Sequence, residues 1–430
     1  MQATAIIVPL VMRTVVGAAL LFVAAGAYAQ SHDGRESSGT AWQPTATPME
    51  GIHAGVGEWM FMGHANVFAQ FLYESGDLHR TSRQAGSINW FMGMLQRPAG
   101  TGRVGVRAML SAEPWTIGGC GYPDLLATGE VCDGDTIHDR QHPHDLFMEL
   151  ALTYDRPIST RLRVHGYAAL AGEPALGPPG FPHRASAMSN PISPIGHHWL
   201  DATHIAFGVL TAGVSGSRWR AEGSVFNGRE PDDARAGIEF AALDSVSARV
   251  AIAPNDRWSL QVSAGHLRES EAGLGSQPRQ DVSRATASAL YFRPLRGRGG
   301  WASTVAYGVN HETSAIAEGS LEQSTHAALA ETSLRSASGR HHWFARMEVV
   351  GKRAHDLHVH EYITNIFTVG KGQLGYLYQW PAVKGWAPGL GAHVNVSVLP
   401  PLLAPRYSGR FAPGLGVWVN LRPSSFTQSR

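Results

Sequence analysis

The chain has 430 residues, and 35 Lys and Arg stand against 34 Asp and Glu for a formal charge of +1. So even a balance argues against a polyelectrolyte partner such as nucleic acid. Only two cysteines occur, Cys120 and Cys132, and in an exported chain such a close pair reads as a loop disulfide rather than a metal or redox site.

The N-terminus reads as a secretory leader. Arg13 precedes an apolar run from Val15 to Ala25, and Ala27-Tyr28-Ala29 supplies small residues for cleavage before Gln30. A signal peptide over 1–29 is predicted. Its apolar core is short for a span, and no second long apolar run follows, so no transmembrane helix is expected. Residues 30–57, containing "QSHDGRESSGTAWQPTATPME", read as a polar, largely disordered periplasmic extension. That length is too short for the plug domain of a TonB-dependent receptor.

From 58 to 422 the pattern has period two. "RLRVHGYAALA" sets Leu162, Val164, Ala168 and Leu170 against Arg161, Arg163, His165 and Tyr167. "WSLQVSAGH", "WASTVAYGVN" and "GAHVNVSV" alternate in the same way. A wholly apolar face must be buried or face lipid. The connections separate the two cases. Short links at 97–102, 155–160, 215–217, 254–257, 293–300, 336–340 and 381–388 take turns with longer ones. The longer ones are 74–86, 112–145, 172–202, 228–243, 269–281, 313–325, 351–362 and about 399–409. This alternation predicts an all-β, transmembrane, antiparallel up-and-down β-barrel of about 16 strands, with short periplasmic turns and long extracellular loops. Trp59, Tyr73, Trp90, Tyr154, Trp258, Trp301, Tyr307, Trp343 and Trp418 recur near strand ends or on outward faces, as aromatic girdles would. Residues 423–430 form a polar tail.

The leader, the alternation and the last strand "GLGVWVNLRP" resemble Gram-negative outer-membrane β-barrels, porin-like in size, across nearly the whole mature chain. The resemblance implies residence in a Gram-negative outer membrane, contact with its lipids and lipopolysaccharide, insertion by the barrel-assembly machinery, and a homotrimer as one mode of assembly. One departure is that Leu421 closes the final strand where such barrels usually end on an aromatic residue. "DRQHPHDLFMELALTY", "HHWLDATHIAFGVLTAG" and "FNGREPDD" also resemble an uncharacterised set of predicted outer-membrane barrels, which lends no activity. Similarity in role to copper-resistance outer-membrane proteins is weaker, because their Met/His-rich leader is missing.

The histidines fall in three extracellular loops. His138, His142 and His144, with Asp145, end the second; His183, His197, His198, Asp201 and His204 lie in or at the end of the third; His355, His358 and His360, with Asp356 and Glu361, fill the seventh. Imidazole with carboxylate suits Cu(II), Zn, Ni or Fe. Pro143 biases His142 towards extended geometry, so His142 and His144 could point the same way. His197, Asp201 and His204 share a face only if a short helix forms. Packing of the loops by His, Asp and Arg140 is the competing reading, and gating by imidazole protonation a third.

The lumen is predicted to be lined by Met60, Met62, His64, Glu149, Arg161, Arg163, His165, Arg346, Glu348 and His393. Met-x-Met-x-His would suit copper, or the methionines simply fill space. The function expected is a porin-like channel that handles transition-metal ions, copper or zinc, through His-rich loops. The alternative is a general diffusion pore or structural barrel whose histidines only pack loops. A hydrolase is the minor alternative; no G-x-S-x-G elbow occurs, and no enzyme activity or catalytic residue is expected.

Overall fold

A computed structural model of the chain describes residues 35–76, 80–271, 279–316, 319–362 and 364–424. The signal segment 1–29 and most of the tail lie outside the described residues. The first strands are β1 (Ile52–Val56), β2 (Trp59–Glu74), β3 (Ser82–Ala99) and β4 (Gly102–Leu110). A loop hairpin follows, made of β5 (Tyr122–Cys132) and β6 (Asp135–Gln141). Then come β7 (Phe147–Pro157), β8 (Arg163–Gly172), β9 (Ala206–Ser215), β10 (Trp219–Phe226), β11 (Ser245–Ile252) and β12 (Trp258–Glu271). The last are β13 (Gln280–Pro294), β14 (Gly300–Ile316), β15 (Gly319–Arg335), β16 (His341–Arg353), β17 (Ile366–Gln379), β18 (Trp386–Val398) and β19 (Phe411–Pro423).

Antiparallel pairing runs from β2 through β3, β4 and β7 and then in order to β19, which returns to β2 from Gly414↔Glu74 to Leu421↔Val67. Sixteen strands therefore close a barrel, with β1 and the β5–β6 hairpin outside that count. β19 covers only the second half of β2. β1 pairs with the first half, Ile52↔Gly63 to Val56↔Trp59. Residues 52–56 are thus not part of a disordered extension: the stagger of a closed barrel leaves half an edge unpaired, and this segment satisfies it.

The wall inverts the arrangement of a soluble protein. On β11, Val246, Val250 and Ile252 are exposed outward while Ser245, Ser247 and Arg249 are buried inward. β17 and β18 expose Leu374 (64%) and Val394 (60%) but bury Gln373, His393 and Asn395. Such an apolar exterior is stable only in lipid, and closure leaves no unpaired edge there. The chain is an outer-membrane β-barrel. At the short-turn end the rings of Trp258 and Tyr291 lie 4.7 Å apart, and those of Tyr291 and Trp301 5.5 Å, forming part of the periplasmic girdle. Two girdle assignments are corrected: Trp90 and Trp418 are buried inside. Trp418 packs on Phe68, Phe344 and His393, and Gly391 makes room, since a Cβ there would come within 2.4 Å of the indole. Aromatic identity alone does not set the side; strand parity does.

The link expected at 313–325 is another correction. β14 and β15 pair continuously from Gly300↔Arg335 to Ile316↔Gly319. Beyond the bilayer a strand needs no apolar face, so its polar sequence reads as loop.

Three segments fill the barrel. The β5–β6 hairpin and the segment 173–205 fold inward from the extracellular side, and residues 35–50 enter from the periplasmic side. Glu36 pairs with Arg107 at 2.6 Å and Arg220 at 3.2 Å, and Arg249 donates to Thr40 Oγ1. Trp42 is buried beneath the guanidiniums of Arg35 and Arg220. From Arg35 on, then, the leader is ordered rather than a free extension. Wall arginines facing a narrow lumen need acceptors, and the leader brings them.

Candidate functional site

Two loops bring five imidazoles together inside the barrel, and a third, between β10 and β11, adds Glu230 and Arg235. After β4, Ser111 and a helical turn at Glu113–Thr116 bury Glu113 completely. Its carboxylate accepts from the His144 backbone N–H at 2.9 Å and lies 2.8 Å from His144 Nδ1. In the segment 173–205, Pro194 and Gly196 precede a helical turn at His197–Leu200. That turn is the short helix on which the shared face depended. His197 Nδ1 meets Asp201 Oδ1 at 2.9 Å, and His204 Nδ1 donates to the Asp201 carbonyl at 2.7 Å. His198 Nδ1 lies 2.7 Å from Glu230 Oε1. His142 lies 3.1 Å from Glu130, which also pairs with Arg235.

These rings pack on one another. Centroid separations are 5.1 Å for His197–His204, 5.3 Å for His144–His204, 5.5 Å for His197–His198 and 5.8 Å for His142–His198. Phe181 stacks on His144 and closes one side. All five imidazoles are buried. Close approach is built into the backbone: Gly129 has φ +119°, and a Cβ there would lie 2.2 Å from the His198 ring. Gly308 on β14 likewise leaves room for the Trp199 carbonyl. Nε2 of His198 and of His204 has no hydrogen-bond partner among the described residues, and His198 Nδ1 and His142 Nε2 face Glu230 and Glu130 at ion-pair distance without hydrogen-bond alignment.

Electrostatics divide the rings into two kinds. Burial drives His142 and His204 well below the usual imidazole range, with neighbouring cations and rings adding to it. His197 is likewise lowered by burial, to about 4. For His144 and His198 burial also opposes the charge, but Glu113 and Glu230 outweigh it and raise both. Asp201 is held below the usual carboxylate range, because Arg184 at 2.6 Å and His197 overcome the desolvation. Burial pushes Glu130 up to about 7 and Asp145 to about 8. The pocket therefore mixes neutral imidazoles with sites that favour a cation.

The other predicted residues lie elsewhere. His138 and His358 stack at 3.9 Å in the outer loops, with Thr136 Oγ1 2.7 Å from His358 Nε2. Asp145 pairs with Arg235 rather than an imidazole. His355 is half-buried beside Asp356, which is held by Arg353, and Glu361 pairs with Arg406. The side chain of His360 lies outside the described residues. The seventh loop thus does not join the central cluster. Cys120, just before β5, and Cys132, at the end of β5, form a disulfide that closes a ring around that strand.

Of the pore-lining set, Met62, Glu149, Arg346, Glu348 and His393 are buried on the inner wall, with Met60, His64, Arg163 and His165 half-buried on inward positions of β2 and β8. Arg161 is a correction: it is exposed in the turn before β8, because the strand starts two residues later. Sequence reasoning missed Glu113, Glu130 and Glu230 as partners. Glu113 and His144 are 31 residues apart, and no spacing rule connects them.

No protein-family model matches the chain, and no curated protein matches its sequence. Among solved structures it is similar to a loop-deletion form of OmpT, an outer-membrane protein of Vibrio cholerae, with 9% identity over 85% of this chain and 99% of that one, TM-score 0.49. Salmonella typhi OmpF in complex with daunomycin matches with 8% identity over 86% and 100%, TM-score 0.49. The outer-membrane channel DcaP of Acinetobacter baumannii matches with 8% identity over 87% and 100%, TM-score 0.47.

Proposed function

We propose that this barrel is an outer-membrane channel for divalent transition-metal cations, zinc or copper, whose inward-folded loops carry the selective element. One observation carries the reading. His144, His197, His198 and His204 each set Nδ1 against a carboxylate or carbonyl oxygen, while Nε2 of His198 and His204 is left unpartnered. Metal-binding imidazoles are oriented in this way, with the far nitrogen fixed by an acceptor. A buried nitrogen without a partner costs about 1–3 kcal/mol, and a cation would relieve that cost. The same carboxylates that raise His144 and His198 attract any cation, a proton or a metal ion.

The alternative is a barrel with a purely structural plug, favoured by the completeness of its ion pairs. Arg184 bridges Asp201 and Glu331, Arg346 reaches Glu331 at 3.1 Å, and Lys371 bridges Glu74 and Asp124. We also propose that the chain is not an enzyme. Ser189 meets His342 at 3.3 Å, but the far nitrogen of that ring faces the Gly339 carbonyl and Arg422. Among the described residues no carboxylate orients that ring as a base, and the His266 ring that does lie between Ser283 and Asp281 is exposed on the outward face of β12.

Calorimetric titration of the folded protein with Zn(II) and Cu(II) tests the channel reading, together with His144→Ala/His204→Ala. Saturable binding lost in the variant supports it. A wild type without saturable binding leaves the structural plug as the function of these histidines.

A further inference from the structure

Six of the eleven methionines gather on one patch of the barrel interior. Met62, Met92, Met94, Met109 and Met148 are buried together with Trp90 and Ile205, and Met49 packs against them. The register explains the gathering. Met62 lies opposite Met94, His64 opposite Met92, and Met92 opposite Met109. Inward positions on β2, β3, β4 and the start of β7 thus carry thioethers where other strands carry Ser, Thr, Asn or Arg. The segment 173–205 then lowers His183 onto the patch. Its Nε2 lies 3.3 Å from Met109 Sδ, and its ring lies 5.1 Å from that of Trp90.

Space filling alone explains methionine, but not an imidazole set against it. A thioether is a weak acceptor, so His183 gains little from facing sulfur. One ion between them gains from both. With metal–nitrogen and metal–sulfur bonds of about 2.0 and 2.3 Å and a tetrahedral angle, the two atoms stand about 3.5 Å apart, close to the spacing observed. The ligand class is soft and uncharged: Trp90 and Ile205 pack among the thioethers, and Glu149, opposite Met109, is taken up by Arg107 at 3.7 Å and the Tyr167 hydroxyl at 2.9 Å. In the five-histidine pocket, by contrast, carboxylates face several of the rings. Thioether with imidazole selects Cu(I) over the harder divalent ions. Met49 and Met94 line a cavity at the periplasmic mouth whose other walls carry Glu36, Asp155 and five arginines, Arg35, Arg103, Arg107, Arg163 and Arg220.

We propose that Met92, Met109 and His183 form a binding site for a soft monovalent d10 cation, Cu(I) or its redox-inert analogue Ag(I), entered from the periplasmic side past Met49 and Met94. The site is separate from the five-histidine pocket and does not depend on the divalent-cation reading.

The test uses the full chain folded in detergent, with Ag(I) titrated by calorimetry and Cu(I) competed against a colorimetric chelator. Met92→Leu/Met109→Leu keeps apolar volume, and His183→Gln in the loop serves as a second variant less exposed to folding loss. Retained resistance to dissociation in unheated gel samples confirms the barrel. Wild type should bind Ag(I), and the double variant should bind it at least roughly 100-fold more weakly, since even outer-shell partners are worth 10–100-fold. Sulfur neighbours should appear in the absorption fine structure of the bound metal. In a His144→Ala/His204→Ala background, the Ag(I) binding that depends on Met92 and Met109 should persist. Equal Ag(I) affinity with and without Met92→Leu/Met109→Leu in that background, or a spectrum with only nitrogen and oxygen neighbours there, would each overturn the proposal.

Discussion

Arg184→Met should unseat the segment 173–205 and open the lumen. Arg184 is 1% exposed and holds Asp201 at 2.6 Å and Glu331 at 2.7 Å. It also donates to the Pro179 carbonyl, so it ties Pro179 and Asp201 of the segment to one wall carboxylate, Glu331 on β15. Methionine keeps the length but leaves buried Asp201 with only the neutral ring of His197, and Glu331 with one arginine instead of two. Removing one partner of a buried pair costs about 3–5 kcal/mol. Arg346 still reaches Glu331, which places the expected loss near the lower end, about 3 kcal/mol. At about 1.4 kcal/mol per tenfold, the ratio of unseated to seated loop should rise by roughly 100-fold. Planar-bilayer recording should show larger or more frequent openings than wild type, and limited proteolysis should cut within 173–205 much faster. If conductance and cleavage rates both stay within about twofold of wild type, Arg184 is not the clasp and the reasoning about buried pairs fails here.

Three further predictions concern the hairpin, the wall and the pH response. Cys120→Ser/Cys132→Ser opens a ring with a sequence separation of 12, a loop whose closure is worth about 3 kcal/mol. Hydrogen exchange over 121–141 should quicken while the barrel melts unchanged, because no wall strand lies within the ring. Leu374→Arg puts a guanidinium on the lipid face of β17, where Leu374 is 64% exposed; near the bilayer middle this costs about 2–4 kcal/mol. Denaturant titration in lipid vesicles should show that loss, and Leu374→Ile, which keeps an apolar side chain against lipid, should not reproduce it. Glu130 and Asp145 are raised to about 7 and about 8 by burial. Folded values above the unfolded ones give a stability that is full below about pH 4 and is lost as pH rises through 7 and 8. Proteolysis of the β5–β6 hairpin should therefore accelerate between pH 6 and 9, and Asp145→Asn should flatten that profile; a flat wild-type profile would show that these carboxyls are not buried as acids.

The wall was legible because period-two patterning is a local property. "SVSARVAI" alternates residue by residue, and the long and short links state the direction of each strand without any knowledge of its partner. What lay between the strands was not. The leader reads as polar, yet Glu36 and Thr40 meet arginines on strands 71 to 209 residues away. "NHETSAIAEGSLEQSTH" reads as loop because its strands have left the lipid that imposes an apolar face. His197 and Asp201 could be paired from their spacing, since one helical turn brings them together. His144 with Glu113 could not, since 31 residues of one loop separate them, nor could His198 with Glu230 or His183 with Met109, since each joins segments that only closure of the barrel places side by side.

By itself, then, the order of residues determined a lipid-facing barrel of about sixteen strands and the end at which its histidines enter. The tertiary structure decided that the loops fold inward, that five imidazoles meet among carboxylates, and that six methionines share one inner face. The physical reason is the reach of each constraint: the bilayer acts on every strand separately, whereas a buried charge or a soft nitrogen–sulfur pair is set by whichever distant segment comes to lie against it.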